Sequence, residues 1–265
     1  NDIPEYMSAK LPEIGGCFLQ AESEVAAINM VYGASGTGAR VMTSSSSPGI
    51  SLKMEGISYC VGAELPCVIV NIMRGGPGLG SIQASQGDYF QATRGGGHGD
   101  YRLITLAPAS VQEAIDLMQD AFDLADLYRT PVMVLADGII GQMMEPVEFK
   151  PAATQRELPP KDWAATGWSP ACGRPRAIVN SLYIETEALD AMNQRLQTRY
   201  RQIEEQEVRV EEYNLPGAEF VICAYGTVAR ICKSAIAICA KEGLKVGLVR
   251  PITLWPFPVA AVQNA

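Results

Sequence analysis

YRLITLAPASVQEAIDLMQDAFDLADLYRTPVMVLADG, residues 101–138, contains one strand–helix–strand unit. Its two ends, YRLITLAP and TPVMVLADG, are short and nearly all apolar, the pattern of strands buried on both faces. Between them Ser110 and Glu113 stand in capping-box register. Val111, Ile115, Met118, Phe122 and Ala125 then recur at the three- and four-residue spacing of one helix face. The same alternation extends upstream. ESEVAAINMVYG (22–33) reads as a helix ended by Gly33, ARVMTSS (39–45) as a short strand, GISLKMEGISYCVGAE (49–64) as a helix and PCVIVNIM (66–73) as a buried strand. Repetition of this order predicts an α/β fold, a parallel sheet with helices on both faces.

The pattern divides the chain into three parts. Residues 1–149 form the first α/β domain. From 150 to 216 the sequence is an irregular connection rich in Pro and Gly, followed by a charged amphipathic helix with Leu189, Met192, Leu196, Tyr200 and Ile203 on one face. From 217 to 265 the strand EFVICAYGT, the helix VARICKSAIAICAKEG and the strand KVGLVRPITLWPFP begin a second α/β domain, since one such unit with two open edges is not stable by itself. At the other end, NDIPEYMSAKLPEIGG reads as though it starts in mid-fold, with Pro4 placed to open a short helix.

Composition narrows the function. A hydrophobic content of 48% supports a real core, and a net charge of −8 with a pI near 4.8 disfavours nucleic acid and anionic membranes as partners. No apolar run approaches the roughly 20 residues of a membrane span, so a soluble cytoplasmic protein is expected. The seven cysteines show no CxxC or CxxxC spacing, which argues against an iron–sulfur cluster or a metal site and for reduced core thiols.

Residues 74–102, RGGPGLGSIQASQGDYFQATRGGGHGDYR, contain nine glycines, three arginines and the chain's one histidine. They suggest a phosphate cradle, but the spacings refuse it. GASGTGAR (33–40) has Ala39 where a P-loop needs lysine. Neither GGPGLG nor GGGHGD gives GxGxxG entering a helix. A GDG anchor for a diphosphate, with its later Asn, is also missing.

LQAESEVAAINMVYGASGTGARVMTSSSSPGISLKMEGISY, AELPCVIVNIMRGGPGLG and QGDYFQATRGGGHGDYR together resemble the α subunit of 2-oxoacid:ferredoxin oxidoreductases, most closely the type acting on 3-methyl-2-oxobutanoate (2-ketoisovalerate). The resemblance covers residues 1–149 most strongly, and residues 217–258 resemble the start of a transketolase C-terminal-like domain. It implies a thiamine-diphosphate pyrimidine-binding fold whose N-terminal strand segment is missing here. It further implies oxidative decarboxylation of a 2-oxo acid to an acyl-CoA and carbon dioxide, with electrons passing to ferredoxin. Thiamine diphosphate would be shared with a β subunit that supplies Mg²⁺ and the diphosphate motif, with iron–sulfur clusters on β or ferredoxin-like γ or δ subunits, coenzyme A as acyl acceptor, and no activity without those partners.

Residue by residue, the resemblance makes Glu24 the carboxylate that contacts a ring nitrogen of the aminopyrimidine and so helps remove the thiazolium C2 proton. An ordinary helix-start carboxylate is the plainer alternative, and Glu22 suits that role better. Arg74, at the carboxyl end of PCVIVNIM, would meet the carboxylate of the 2-oxo acid with its fork of donors. Ser45 and Ser46 in TSSSSPG would border the pyrimidine, or serve only as a helix cap. His98 is equally a proton carrier beside the substrate or a hydrogen-bonded loop residue. Leu79, where relatives often carry threonine, would make the lining more apolar and favour a branched 2-oxo acid over 2-oxoglutarate. On this reading the glycines thin the backbone around Arg74. A self-sufficient thiamine decarboxylase or synthase would carry its own GDG motif, and a purely structural subunit would not need Glu24 and Arg74 together.

Overall fold

The computed structural model describes residues 2–151 and 156–265, with side chains from Pro4 onward. Helix α1 (Asp2–Lys10) comes first, and α2 (Glu24–Gly36) opens the strand–helix alternation of the first domain. The chain continues through β1 (Met42–Ser45), α3 (Ser47–Gly62), β2 (Cys67–Met73) and the short α4 (Tyr89–Thr93). It then passes through β3 (Ile104–Leu106), α5 (Val111–Tyr128), β4 (Pro131–Asp137) and α6 (Gly138–Gln142). The four strands lie parallel in the order β1-β2-β4-β3. All of β4 and all but Ile72 of β2 are buried, so both faces of the sheet centre are covered, as the continuous apolar runs predict.

Helix α2 continues past Gly33 because that glycine lies in open helix, and the chain turns instead at Thr37 and left-handed Gly38. In α5 the Ser110 hydroxyl accepts from the Glu113 N–H at 3.1 Å, while the Glu113 carboxylate reaches one residue further back, to the Ala109 N–H at 2.6 Å. The buried face of α5 differs from the predicted stripe: Leu117, Ala121, Leu124, Ala125 and Tyr128 are buried, and Val111, Ile115, Met118 and Phe122 are half-covered. Two apolar stripes adjoin on this helix and share Ala125, and the buried one runs through Leu117, Ala121 and Leu124.

Helix α7 (Thr186–Gln206) covers the first domain with Met192, Leu196, Tyr200 and Ile203, whereas Leu189, also expected on that face, is 41% exposed in the first turn. β5 (Val210–Tyr213), β6 (Phe220–Cys223), α8 (Gly226–Lys241) and β7 (Val246–Pro251) form a second sheet of order β5-β7-β6. The last predicted strand is two strands. The chain turns after β7, and β8 (Thr253–Trp255) pairs antiparallel with β3 at the edge of the first sheet, ahead of the terminal α9 (Val259–Asn264). Two of the seven free cysteines, Cys60 and Cys67, are fully buried; Cys223 and Cys17 are exposed despite their apolar neighbours, Cys223 because β6 is an edge strand.

Candidate active site

Glu24 begins α2 just after Ser23, whose hydroxyl caps the helix by accepting from the Ala26 N–H at 3.2 Å. Because Ser23 performs the capping, the Glu24 carboxylate is not needed for it. It is half-buried and, among the described residues, has neither a hydrogen-bond donor nor an ion-pair partner. Its neighbour is the start of α3. A methyl group added at Gly49 would overlap the Ser45 hydroxyl and stand 2.9 Å from Glu24 Oε1, so Gly49 is what lets the two helix starts approach. One turn further along α2 and two turns further along α3, a methyl group at Gly56 would come within 2.7 Å of Ile28 Cγ1. Ile28 is 1% exposed, and burying it is worth about 1.5–3 kcal/mol to this crossing.

The serine turn joins this carboxylate to Arg74. Ser46 holds the cap position of α3, but its hydroxyl makes no capping bond, and Ser45 lies against Gly49, so neither is committed to the helix end. Ser47 is the hub: its hydroxyl accepts from the Arg74 backbone N–H at 3.0 Å and donates to Asp88 Oδ2 at 2.5 Å. Asp88 also receives Asn71 Nδ2 at 3.0 Å. Arg74 Nε and Asn71 Oδ1 are buried without a partner among the described residues. Unsatisfied buried polar atoms are uncommon and call for a partner, and a ligand's groups are one that Arg74 and Asn71 could receive here. Sequence reasoning missed Ser47, Asn71 and Asp88; the Asn inside an otherwise apolar strand was the available signal.

The remaining candidates lie apart from this group. From Arg74 the chain makes a tight hairpin closed by a bridge between Arg74 and Ala84, with the Gly75 N–H donating to the Gln83 carbonyl at 2.9 Å. A side chain on Gly80 would collide with the Gly75 carbonyl. Leu79 sits at the hairpin tip, 83% exposed, rather than lining the ground beside Arg74. His98 packs on the outer face of α3: its ring meets Tyr59 edge-on at 6.0 Å, and its carbonyl accepts from the Ser58 hydroxyl at 2.7 Å. The structure therefore places the His98 ring against Tyr59. The second glycine cluster serves that packing, since a methyl group at Gly97 would stand 2.6 Å from the Met54 carbonyl. Those glycines seat a loop on α3; the thinning around Arg74 is confined to residues 75–80.

A cavity of about 390 Å³ lies elsewhere, where α5 meets the second sheet. Its charges satisfy one another: Arg250 binds Glu113 at 2.8 Å and Glu211 at 2.6 Å, and Lys233 also binds Glu211. This is a structural network. The described residues contain no group of His, Cys, Asp and Glu able to hold a metal ion, and no helix among them is long and apolar enough to cross a membrane.

Residues 1–214 match the family model "Pyruvate flavodoxin/ferredoxin oxidoreductase, thiamine diP-bdg", and residues 218–265 match "Pyruvate:ferredoxin oxidoreductase core domain II". The chain belongs to the 2-oxoacid:ferredoxin oxidoreductase family. Among curated members of that family it is 52% identical to ketoisovalerate oxidoreductase subunit VorB of Methanothermobacter marburgensis, over 100% of this chain and 74% of the relative. It is 37% identical to 2-oxoglutarate synthase subunit KorA of Methanocaldococcus jannaschii, over 97% of this chain and 75% of that one. A solved member, the 2-oxoglutarate:ferredoxin oxidoreductase from Magnetococcus marinus with 2-oxoglutarate, coenzyme A and succinyl-CoA bound, superposes with a TM-score of 0.82 at 28% identity. The match covers 99% of this chain and 50% of the solved one. Residues 1–214 of this 2-oxoacid:ferredoxin oxidoreductase chain are therefore of the thiamine-diphosphate-binding type, and Glu24, Ser45 and Arg74 lie within them.

Proposed function

We propose that this chain is the α-type subunit of a thiamine-diphosphate-dependent enzyme that converts 3-methyl-2-oxobutanoate and coenzyme A to the acyl-CoA and carbon dioxide, with two electrons passing to ferredoxin. The reading rests on one observation above the others. A half-buried, unpartnered carboxylate, Glu24, and an arginine with an unpartnered buried Nε, Arg74, flank one serine turn at the end of two parallel strands. Bound thiamine diphosphate would supply a thiazolium carbon that adds to the 2-oxo carbon and holds the electron pair left by carbon dioxide. This chain's own residues bind and orient. Glu24 would accept a hydrogen bond from the aminopyrimidine, and the Ser45 and Ser46 hydroxyls would border that ring. Arg74 would hold the substrate carboxylate by a charge-assisted fork.

A partner β subunit would hold Mg²⁺ and the diphosphate, with iron–sulfur clusters on β or γ/δ-type subunits and the assembly in the cytoplasm. The branched 2-oxo acid follows the 52% identity to a subunit named for ketoisovalerate, against 37% to one named for 2-oxoglutarate. Exposed Leu79 and His98 enter this reading only as residues that a partner or substrate could cover.

The test is reconstitution with partner subunits. Glu24→Gln should lower turnover by roughly 10²-fold or more, the usual reach of a positioned proton-transfer group. Unchanged turnover would leave the chain a scaffold. A substrate panel that favoured 2-oxoglutarate would overturn the branched-chain assignment, and this chain purified alone should oxidise neither acid.

A further inference from the structure

Arg74 is aimed by its backbone, and what holds that backbone leads through Ser47 to Asp88. The Ser47 hydroxyl has one proton and two acceptors in reach, Asp88 Oδ2 at 2.5 Å and the Arg74 carbonyl at 3.3 Å. The nearer acceptor is a carboxylate and takes the proton, because charge-assisted bonds are the stronger ones. A lone pair of Ser47 is then left for the Arg74 N–H at 3.0 Å. Asn71, fully buried in β2, donates to the same carboxylate oxygen at 3.0 Å.

Asp88 is itself held from the other side. It opens α4 without capping it, so its carboxylate is not committed to the helix. Two residues earlier the Gln86 amide donates to the Tyr225 carbonyl at 3.0 Å, and one residue later the Tyr89 ring lies 5.9 Å from that of Tyr225. A methyl group at Gly226 would stand 3.1 Å from Gln86 Nε2, so the start of α8 is seated on this segment. Residues 86–89 are thus fixed to the second domain by contacts that involve neither Ser47 nor Arg74. Among the described residues no ion pair joins Asp88 to Arg74; the carboxylate secures the strand end through the backbone, and the guanidinium charge stays available to a ligand.

We propose that Asp88 is a positioning residue for substrate binding: through the Ser47 hydroxyl it fixes the backbone of Arg74, and with it the point from which the guanidinium meets the carboxylate of the 2-oxo acid. The inference rests on the reading of Arg74 given above.

Initial-rate kinetics of the reconstituted complex, with thiamine diphosphate binding titrated alongside, test it. Asp88→Ala should raise KM for 3-methyl-2-oxobutanoate about 10-fold or more, because small misplacements of a substrate-holding group are costly, while kcat and cofactor affinity stay within about threefold. Asp88→Asn keeps an oxygen for Ser47 and Asn71 and should restore KM to within about threefold of wild type. Ser47→Ala should match Asp88→Ala and carries the same test if the latter does not assemble. The Ser47→Ala, Asp88→Ala double variant should be no worse than either single one, and Asp88→Ala added to Arg74→Gln should raise KM no further. An unmoved KM in Asp88→Ala, an asparagine variant as impaired as alanine, or additive effects in either double variant overturns the role of Asp88. So does a loss of cofactor affinity as large as the rise in KM, which is the mark of a merely structural residue. An unmoved KM in Arg74→Gln by itself overturns the assignment of Arg74 to the substrate, and that result is read apart from the Asp88 variants.

Discussion

Arg74 shows how one residue can be fixed by the fold and still keep a free donor. Its backbone N–H is committed to Ser47, and its Nε is buried without a partner, so the side chain is aimed by the strand end and left unspent. Replacing it with glutamine removes the charge and one arm of the fork. Since a charge-assisted hydrogen bond contributes about 1.5–3 kcal/mol, KM for the 2-oxo acid should rise roughly 10- to 100-fold in Arg74→Gln. Initial-rate kinetics on the reconstituted enzyme measure this, and a KM within twofold of wild type would remove Arg74 from the substrate. Arg74 and Glu24 both stand out in the sequence, as a strand-end cation and a helix-start carboxylate, and for both it is the family resemblance that suggests the role. Nearness to Arg74 along the chain does not fix where Leu79 and His98 end up, because the hairpin turns Leu79 outward and the loop carries His98 around to Tyr59.

At the scale of elements, the crossing of α2 and α3 sets the site. Gly49, in the first turn of α3, and Gly56, in its middle, are both seated against α2. Gly56→Ala would press a methyl group into Ile28, an overpacking that costs about 1–3 kcal/mol. Its expected signature is a lower thermal midpoint together with weaker cofactor binding, because Glu24 moves with α2; calorimetry and titration with thiamine diphosphate read the two effects. Strands and helices were legible here because buried runs such as residues 66–73 and capped periodic stretches such as 110–128 carry local signals. The choice between two adjoining apolar stripes on α5 is not, since both stripes are apolar and only the packed sheet selects the one through Leu117, Ala121 and Leu124.

Across the whole molecule, ion pairs hold the middle segment in place. Glu64 binds Arg199 of α7 at the C-terminal end of α3; burial by itself would raise its pKa, but the Arg199 hydrogen bond and charge, with Arg195 and Arg129, bring it below the usual glutamate range. A depressed carboxyl stabilises the fold above its unfolded-state pKa and loses that contribution as pH falls through the folded value. The hold on α7 should therefore weaken below about pH 4.3, the ordinary glutamate value. Proteolysis within residues 186–206 should rise there, and Glu64→Gln should show the raised susceptibility at neutral pH with a flatter acid dependence. An identical acid profile in that variant would place the sensitivity elsewhere. The long-range pairing of β8 with β3 had no local signature, since KVGLVRPITLWPFP reads as one run and its division appears only when both sheets are present.

That returning strand has a mechanical meaning. The chain leaves the first sheet after β4, builds the second around β5, β6 and β7, and then places Thr253–Trp255 back against β3. At the seam, Thr227 at the start of α8 hydrogen-bonds Asp137 at the end of β4, and Gln86 reaches the Tyr225 carbonyl at 3.0 Å. The two sheets are stitched rather than hinged. A tug on the second body must unzip an edge strand of the first before the bodies can part, so strain arriving from one side is felt at the strand ends that carry Arg74.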